Sequence, residues 1–436
     1  MTEMKKNKKK NPIDTAYEIY KKHSITVNGY SGMPSVAARH TAIELGDYIQ
    51  LDCGNLPREI AMKKKLVLIT HFHSDHGADI CNCVGYDNRV TIFTPAYCAE
   101  QLFYKIKYDI SLRKGRMYED DEIVKMVRIV GCKRPNSNNN EFKDGTCIKS
   151  CNLVIAELVE MGTKVLVVID KNKEVMVEPF QCFHTVETCG YVIYNVQKKL
   201  SDSLEFKKGS VISVNFTEDQ PLKTVKSSKA NQIDAINMAE TKIEIYDWKK
   251  EEKYKDIIMF NERHKTNIIP KIVDKVVSPK YTLKVRQLTF EDDIKIKTMD
   301  ENGKCMLDSS DFEFFKKYKI DFNKDQLTAK TMFFGDTCSY VFNKNNKHVY
   351  DLLSIVENVI IESTYMELSQ KNMSAKKLKA RMENRHMFLY ELMPIFNGYP
   401  NIKFTLIHFS ACYDKNMINE CMKEVNKKYK NVSAFI

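Results

Sequence analysis

The run Leu66-Val67-Leu68-Ile69 leads within two residues into His71-Phe72-His73-Ser74-Asp75-His76. A short, branched apolar segment of this kind predicts a strand. Imidazoles and a carboxylate crowded at its end are the ligands a zinc-type cation prefers. In extended backbone His71 and His73 lie two apart and point the same way, so both can grip one ion. Asp75 and His76 fall on the following turn and can reach a second, which predicts two metals rather than one. Of the 10 histidines in the chain, three stand between positions 71 and 76, a clustering that scattered core or surface histidines do not produce.

Few folds satisfy such a turn, because further ligands must converge on it from elsewhere. The sequence offers three more places where an apolar strand ends in a polar ligand. A hairpin of Val165–Ile169 and Val175–Val177, turning across Lys171-Asn172-Lys173, delivers the chain to Phe183-His184. Thr331-Met332-Phe333-Phe334-Gly335 ends in Asp336, and Phe404-Thr405-Leu406-Ile407 ends in His408. Four such strand ends in order predict sheets that bring metals to one edge. Upstream, Ile43–Leu45 and Tyr48–Leu51 predict a hairpin across Gly46-Asp47, ending at Asp52-Cys53-Gly54. Tyr97–Ile106 has helical spacing, and Arg134–Asn140 is loop-like.

With 43% apolar residues, the 436-residue chain can bury a large core. Lys and Arg number 68 against 57 acids, a formal charge of +11. That excess favours an anionic partner such as nucleic acid, although lysine- and asparagine-rich coding alone would also produce it. Thirteen scattered cysteines and no signal peptide predict free thiols in a reducing compartment. Cys81 with Cys83, and Cys147 with Cys151, lack the partner pairs of a structural zinc knuckle. No apolar run approaches the roughly 20 residues that span a bilayer. The expectation is a soluble, cytoplasmic protein with no membrane partner, nuclear residence being the alternative.

Residues 1–23 carry Lys5, Lys6, Lys8, Lys9 and Lys10 without apolar pattern and predict a disordered basic tail, folding beginning near Ser24. Residues 196–327 are rich in Lys, Asp, Glu and Asn, contain the sole tryptophan, Trp248, and have weaker apolar periodicity than their flanks. They predict an insertion within a domain of residues 24–436. Its first part, 196–229, carries Lys198, Lys199, Lys207 and Lys208, with Lys223, Lys226 and Lys229 beyond. Such a modestly basic projection suits a phosphate backbone or an ordinary solvated surface.

The turn His71 to His76 resembles the hallmark of the metallo-β-lactamase superfamily. Within it the chain resembles the ribonuclease Z family of transfer-RNA 3′ processing endonucleases, in the short, plant-type form. The narrower likeness rests on Phe183–Tyr191, Phe334-Gly335-Asp336-Thr337, Ile361-Glu362-Ser363-Thr364-Tyr365 and Leu406–Tyr413. It implies an α/β fold, the four-layer αβ/βα sandwich, here with a large insertion. By the same resemblance His71, His73 and His184 would hold one zinc, Asp75, His76 and His408 the other, and Asp336 would bridge them, with manganese suiting the same ligands. Asp75 would accept or orient the nucleophile's proton, and His386, on a later helix and paired with Glu362, would be the general acid for the departing 3′ oxygen.

The resemblance further implies a precursor transfer RNA as substrate, cleavage leaving a 3′ hydroxyl, a homodimer, and an RNA-gripping arm at 196–229. Residues 230–327 have no counterpart in it. Departures accompany the match. Arg385 stands where a small residue is usual, Met387 and Phe388 where small hydroxyl residues are common, and Cys412 where an arginine is usual, a loss expected to weaken phosphate or domain contacts and so alter activity. Two other readings compete: a small-molecule phosphodiesterase or other hydrolase of the superfamily, and a non-catalytic RNA-binding protein.

Overall fold

The computed structural model describes residues 25–27, 30–33, 41–86, 88–134, 146–170, 173–208, 211–214, 254–278, 281–318, 320, 322–370 and 373–436. The chain divides into two compact units, one of Met1–Val196 with Leu327–Ile436, the other of Gln197–Gln326. The basic tail, Trp248, Lys223, Lys226, Lys229 and positions 135–140 lie outside the described residues.

The first unit is built on two sheets. One has nine strands in the order Ile25–Val27, Tyr30–Met33, Ala42–Leu45, Ile49–Leu51, Leu66–Leu68, Val90–Pro95, Val127–Lys133, Leu153–Glu160 and Cys147–Ser150. The other has seven, in the order Val165–Asp170, Lys173–Phe183, Glu187–Leu200, Asn323–Phe333, Asn358–Glu362, Lys403–Ile407 and Val432–Ala434. Both predicted hairpins are present, with Leu45 opposite Ile49 and Val165 opposite Val177. In each sheet the strands that carry the predicted ligands, apart from Lys173–Phe183, belong to a parallel set.

Alternation along these strands makes four layers. Leu66, Leu68, Phe93 and Val130 of the first sheet meet Val177, Tyr191, Phe333, Ile360 and Ile407 of the second in one buried cluster between the sheets. Their neighbours Val67, Ile69 and Ile92 face the other way, onto Leu102, Phe103, Ile106 and Ile110. Val359, Ile361, Phe404 and Leu406 likewise face outward onto Leu392, Phe396, Ile418, Met422 and Val425. A strand buried on both faces needs such continuous apolar character, and a helix on each outer face covers what the facing sheet does not. The result is the αβ/βα sandwich expected from the sequence.

The outer helices follow from their own residues. Ala99–Lys114 extends the predicted helical stretch and stops at Gly115, whose φ of 67° suits a C-terminal cap. In Lys415–Lys428 the Asp414 carboxylate accepts from the Met417 amide, and Ile418, Met422 and Val425 form the buried stripe. Among the described residues, no helix is long and apolar enough to cross a membrane.

The second unit has a core of its own, which its sequence did not reveal. Phe260 of helix Lys255–His264 stacks on Phe314 of helix Ser309–Lys317 at 4.1 Å, and Leu204, Ile268, Leu288, Phe290 and Ile296 pack with them. The division expected at 229/230 lies outside the described residues. Ser203–Phe206 pairs with Ile294–Lys297, and Val211–Val214 pairs with Tyr281–Phe290, so the early segment is stitched into the later one.

Candidate metal centre

The strands end where the chemistry gathers. Strand Leu66–Leu68 stops three residues before His71, so the expected strand alternation of His71 and His73 is corrected: both stand on irregular backbone, and His73 caps the single-turn helix Ser74–Gly77 that carries Asp75 and His76. His184 immediately follows strand Lys173–Phe183, Asp336 follows Asn323–Phe333, and His408 follows Lys403–Ile407. Glu362 is the last residue of its strand. Open sheets place ligands at the carboxyl ends of parallel strands, and this one does the same.

The seven predicted ligands meet. His71, His73 and His184 form one group whose ligand atoms lie within 4.8 Å of one another, and Asp75, His76 and His408 form another. In the second, His408 Nε2 is 3.3 Å from His76 Nε2 and 3.3 Å from Asp75 Oδ2. One oxygen, Asp336 Oδ2, stands between the groups, 3.8 Å from His71 Nε2, 4.0 Å from His184 Nε2, 3.6 Å from His76 Nε2 and 3.3 Å from His408 Nε2.

The far side of each ring shows why these nitrogens fit cations. His184 Nδ1 can only donate to the Arg385 carbonyl, 3.4 Å away, and its Nε2 is buried with no hydrogen-bond partner among the described residues. His76 Nδ1 donates to Asp52 Oδ2 at 2.7 Å. Thr70 Oγ1 gives its proton to the same carboxylate and so accepts from His71 Nδ1 at 3.1 Å. Thr364 Oγ1 gives its proton to Glu362 and accepts from His408 Nδ1 at 3.1 Å. Each chain engages Nδ1 and leaves Nε2 facing inward, the arrangement metal-binding histidines need. His71 Nε2 also faces His73 Nδ1 at 3.0 Å, close enough for the two nitrogens to share one cation.

The electrostatics are uneven. Burial pushes the His71 pKa well below the ordinary value, whereas His76, equally buried, is held well above it by the carboxylates of Asp336 and Asp52. Burial would raise Asp75, but hydrogen bonds with His408 and His76 hold its carboxyl far below the usual range. Asp336 is likewise depressed against burial by His408, His76 and His71. Both aspartates are therefore anions.

Glu362 and His386 also come together, His386 Nδ1 donating to Oε2 at 3.0 Å and standing 3.9 Å from Asp336 Oδ2. Glu362 is fully buried and accepts from the Thr337 amide and the Met387 amide as well. Burial disfavours the imidazolium, but Glu362 and Asp336 raise the His386 pKa to about 9. His386 is not on a helix as expected; it stands between helices Ala375–Glu383 and Leu389–Gly398, just after Arg385, whose φ is 53°. Asp52 and His408 share that left-handed conformation, with φ of 53° and 59°. Backbone held there costs of order 1–3 kcal/mol per residue and clusters at functional sites.

Asp52, Thr70 and Thr364 are site residues that sequence reading did not single out. The available signal was a carboxylate closing a predicted hairpin, but its relation to His76 depends on the parallel pairing of Ile49–Leu51 with Leu66–Leu68. Arg385, read only as a departure, also belongs here. Cys412 is exposed. In the second unit Lys198, Lys199, Lys207 and Lys208 are exposed; Lys198 pairs with Asp325 at 2.7 Å and Lys207 with Asp293 at 3.7 Å.

No protein-family model and no curated protein matches the chain. Among solved structures it is similar to human tRNase Z, short form, with TM-score 0.39 and 10% identity over 92% of this chain and 94% of that one. Similarity to the metallo-beta-lactamase fold protein YhfI from Bacillus subtilis has TM-score 0.37 and 9% identity, over 92% and 91% of the two chains. A diphosphatase of the PhnP family gives 0.34 and 8%, over 90% and 79%.

Proposed function

We propose that the protein is a dinuclear metal-dependent phosphodiesterase of ribonuclease Z type, removing the 3′ trailer of precursor transfer RNA and leaving a 3′ hydroxyl. The observation that carries this reading is the Glu362–His386 pair, 3.9 Å from the oxygen that the ligand histidines share. The seven metal ligands are complete without His386, whereas a departing alkoxide needs a proton donor.

His71, His73 and His184 would hold one divalent cation and Asp75, His76 and His408 the other, with Asp336 between them. Zinc or manganese held there would supply a hydroxide nucleophile at neutral pH and would offset charge on the phosphodiester. Asp75, an anion 3.3 Å from two ligand nitrogens, orients the nucleophile and takes its proton. His386 is anchored through Nδ1 by Glu362, so Nε2 is the atom that delivers a proton to the leaving 3′ oxygen. Support for an RNA substrate comes from the +11 charge and the exposed Lys198, Lys199, Lys207 and Lys208. A homodimer, in which one subunit's insertion serves the other's site, belongs to the same reading.

The test is cleavage of a 3′-extended precursor transfer RNA with mapped ends, beside Asp75→Ala. A single cut after the discriminator base, lost in a variant that keeps its fold, is the expected result. Full activity in Asp75→Ala, or no cut by folded, metal-loaded protein, overturns it.

A further inference from the structure

Arg385 is exposed, immediately precedes His386, and is tied twice to a predicted metal ligand. Its carbonyl accepts from His184 Nδ1 at 3.4 Å, and its guanidinium Nη1 donates to the His184 carbonyl at 3.2 Å. That carbonyl is neutral, and among the described residues no carboxylate stands in ion-pair contact with the Arg385 guanidinium. The nearby Arg381 differs, its Nη1 being bound to Glu367. A guanidinium has five N–H donors in a rigid fork, and one bond to a carbonyl leaves most of them free.

We infer that Arg385 is a specificity residue for an anionic phosphoryl substrate: anchored on the His184 carbonyl, its guanidinium gives its remaining donors to a non-bridging oxygen of the phosphate at the His/Asp cluster. The inference rests on the proposed phosphodiesterase reading and names a contact that reading did not supply. The backbone supports it. A φ of 53° at Arg385 is a conformation that a side chain larger than glycine adopts at a cost, yet a long cationic side chain occupies it beside the candidate acid. Charge-assisted, forked contacts to phosphate are the use for which Arg exceeds Lys.

The probe is uridine 5′-monophosphate, a phosphate monoester, bound to metal-loaded protein and measured by calorimetry, with metal content determined on the same samples. Arg385→Ala is expected to keep its metal and to bind the nucleotide roughly 10- to 100-fold more weakly, the range for one charged hydrogen-bonded contact. Arg385→Lys should recover part of that loss, since it keeps the charge without the fork. Arg385→Gly, which relieves the left-handed backbone, should lose affinity as Ala does. Unchanged binding in Arg385→Ala overturns the inference, as does a loss of binding that follows a loss of metal. Wild-type protein that holds metal but neither binds the nucleotide nor cleaves any phosphodiester brings down the phosphodiesterase reading itself, a failure visible before any variant is made.

Discussion

At the scale of single residues, two buried carboxylates each serve two imidazoles. Asp52 holds His76 directly and His71 through Thr70; Glu362 holds His386 directly and His408 through Thr364. Asp52→Asn keeps the shape but removes the charge, and should weaken metal affinity by about 10- to 100-fold, as losses behind a ligand do; competition with a chelator measures it. His386→Ala should separate substrates by leaving group. RNA cleavage, which needs a proton on a poor leaving oxygen, should fall by roughly 10²- to 10⁴-fold. A diester with a nitrophenolate leaving group should lose far less. Equal losses on both substrates would show that His386 is not the acid.

At the scale of elements, the site depends on how closely the two halves of the sandwich approach. A Cβ on Gly335, next to Asp336, would meet Thr188 Cγ2 at 2.5 Å, Thr70 Cβ at 2.7 Å and the Cys189 carbonyl at 2.8 Å. Gly335→Ala should therefore cost about 1–3 kcal/mol through overpacking and disturb metal binding as well, seen as a lower Tm and reduced metal content. The elements were legible where period and termination agreed. The strict alternation of buried and exposed residues along Val165–Asp170 was not readable, but the apolar runs Val165–Ile169 and Val175–Val177, joined across the polar Lys171-Asn172-Lys173, made their hairpin so. The predicted ligands likewise lie at or just after the ends of four apolar runs, and the seven come together. Other features were hidden because sequence patterns are local. The apparent alternation of His71 and His73 concealed a strand that ends at Leu68, and His386, placed on a helix by the resemblance, stands in the break between two helices. The bond from His184 to Arg385 joins positions 201 apart, and no periodicity reports such a contact.

At the scale of the whole molecule, two units with separate cores carry separate expectations. The aromatic core of the second unit escaped notice because its members, from Leu204 to Ile320, are spread across a lysine-rich text and meet only after Tyr281–Phe290 pairs with strands on both sides. If the second unit supplies RNA affinity, cleavage of precursor transfer RNA should weaken steeply between 50 and about 200 mM salt, in the manner of several phosphate contacts. Hydrolysis of a small chromogenic diester should change little over that range. Equal salt dependence of both would place the lysines outside recognition.

The strand Glu187–Leu200, which leads into the second unit, and Asn323–Phe333, which leads out of it, are neighbours in the seven-stranded sheet. Entry and exit therefore lie about one strand spacing apart, roughly 5 Å. To its host sheet the whole unit is topologically equivalent to a hairpin turn. Loop entropy grows only slowly with length, so a guest of this size strains the pairing beneath it little more than a few residues would. The junction is thus a natural splice point, where a tight turn, or a foreign domain with adjacent termini, could replace residues 203–320 while the seven ligands keep their places.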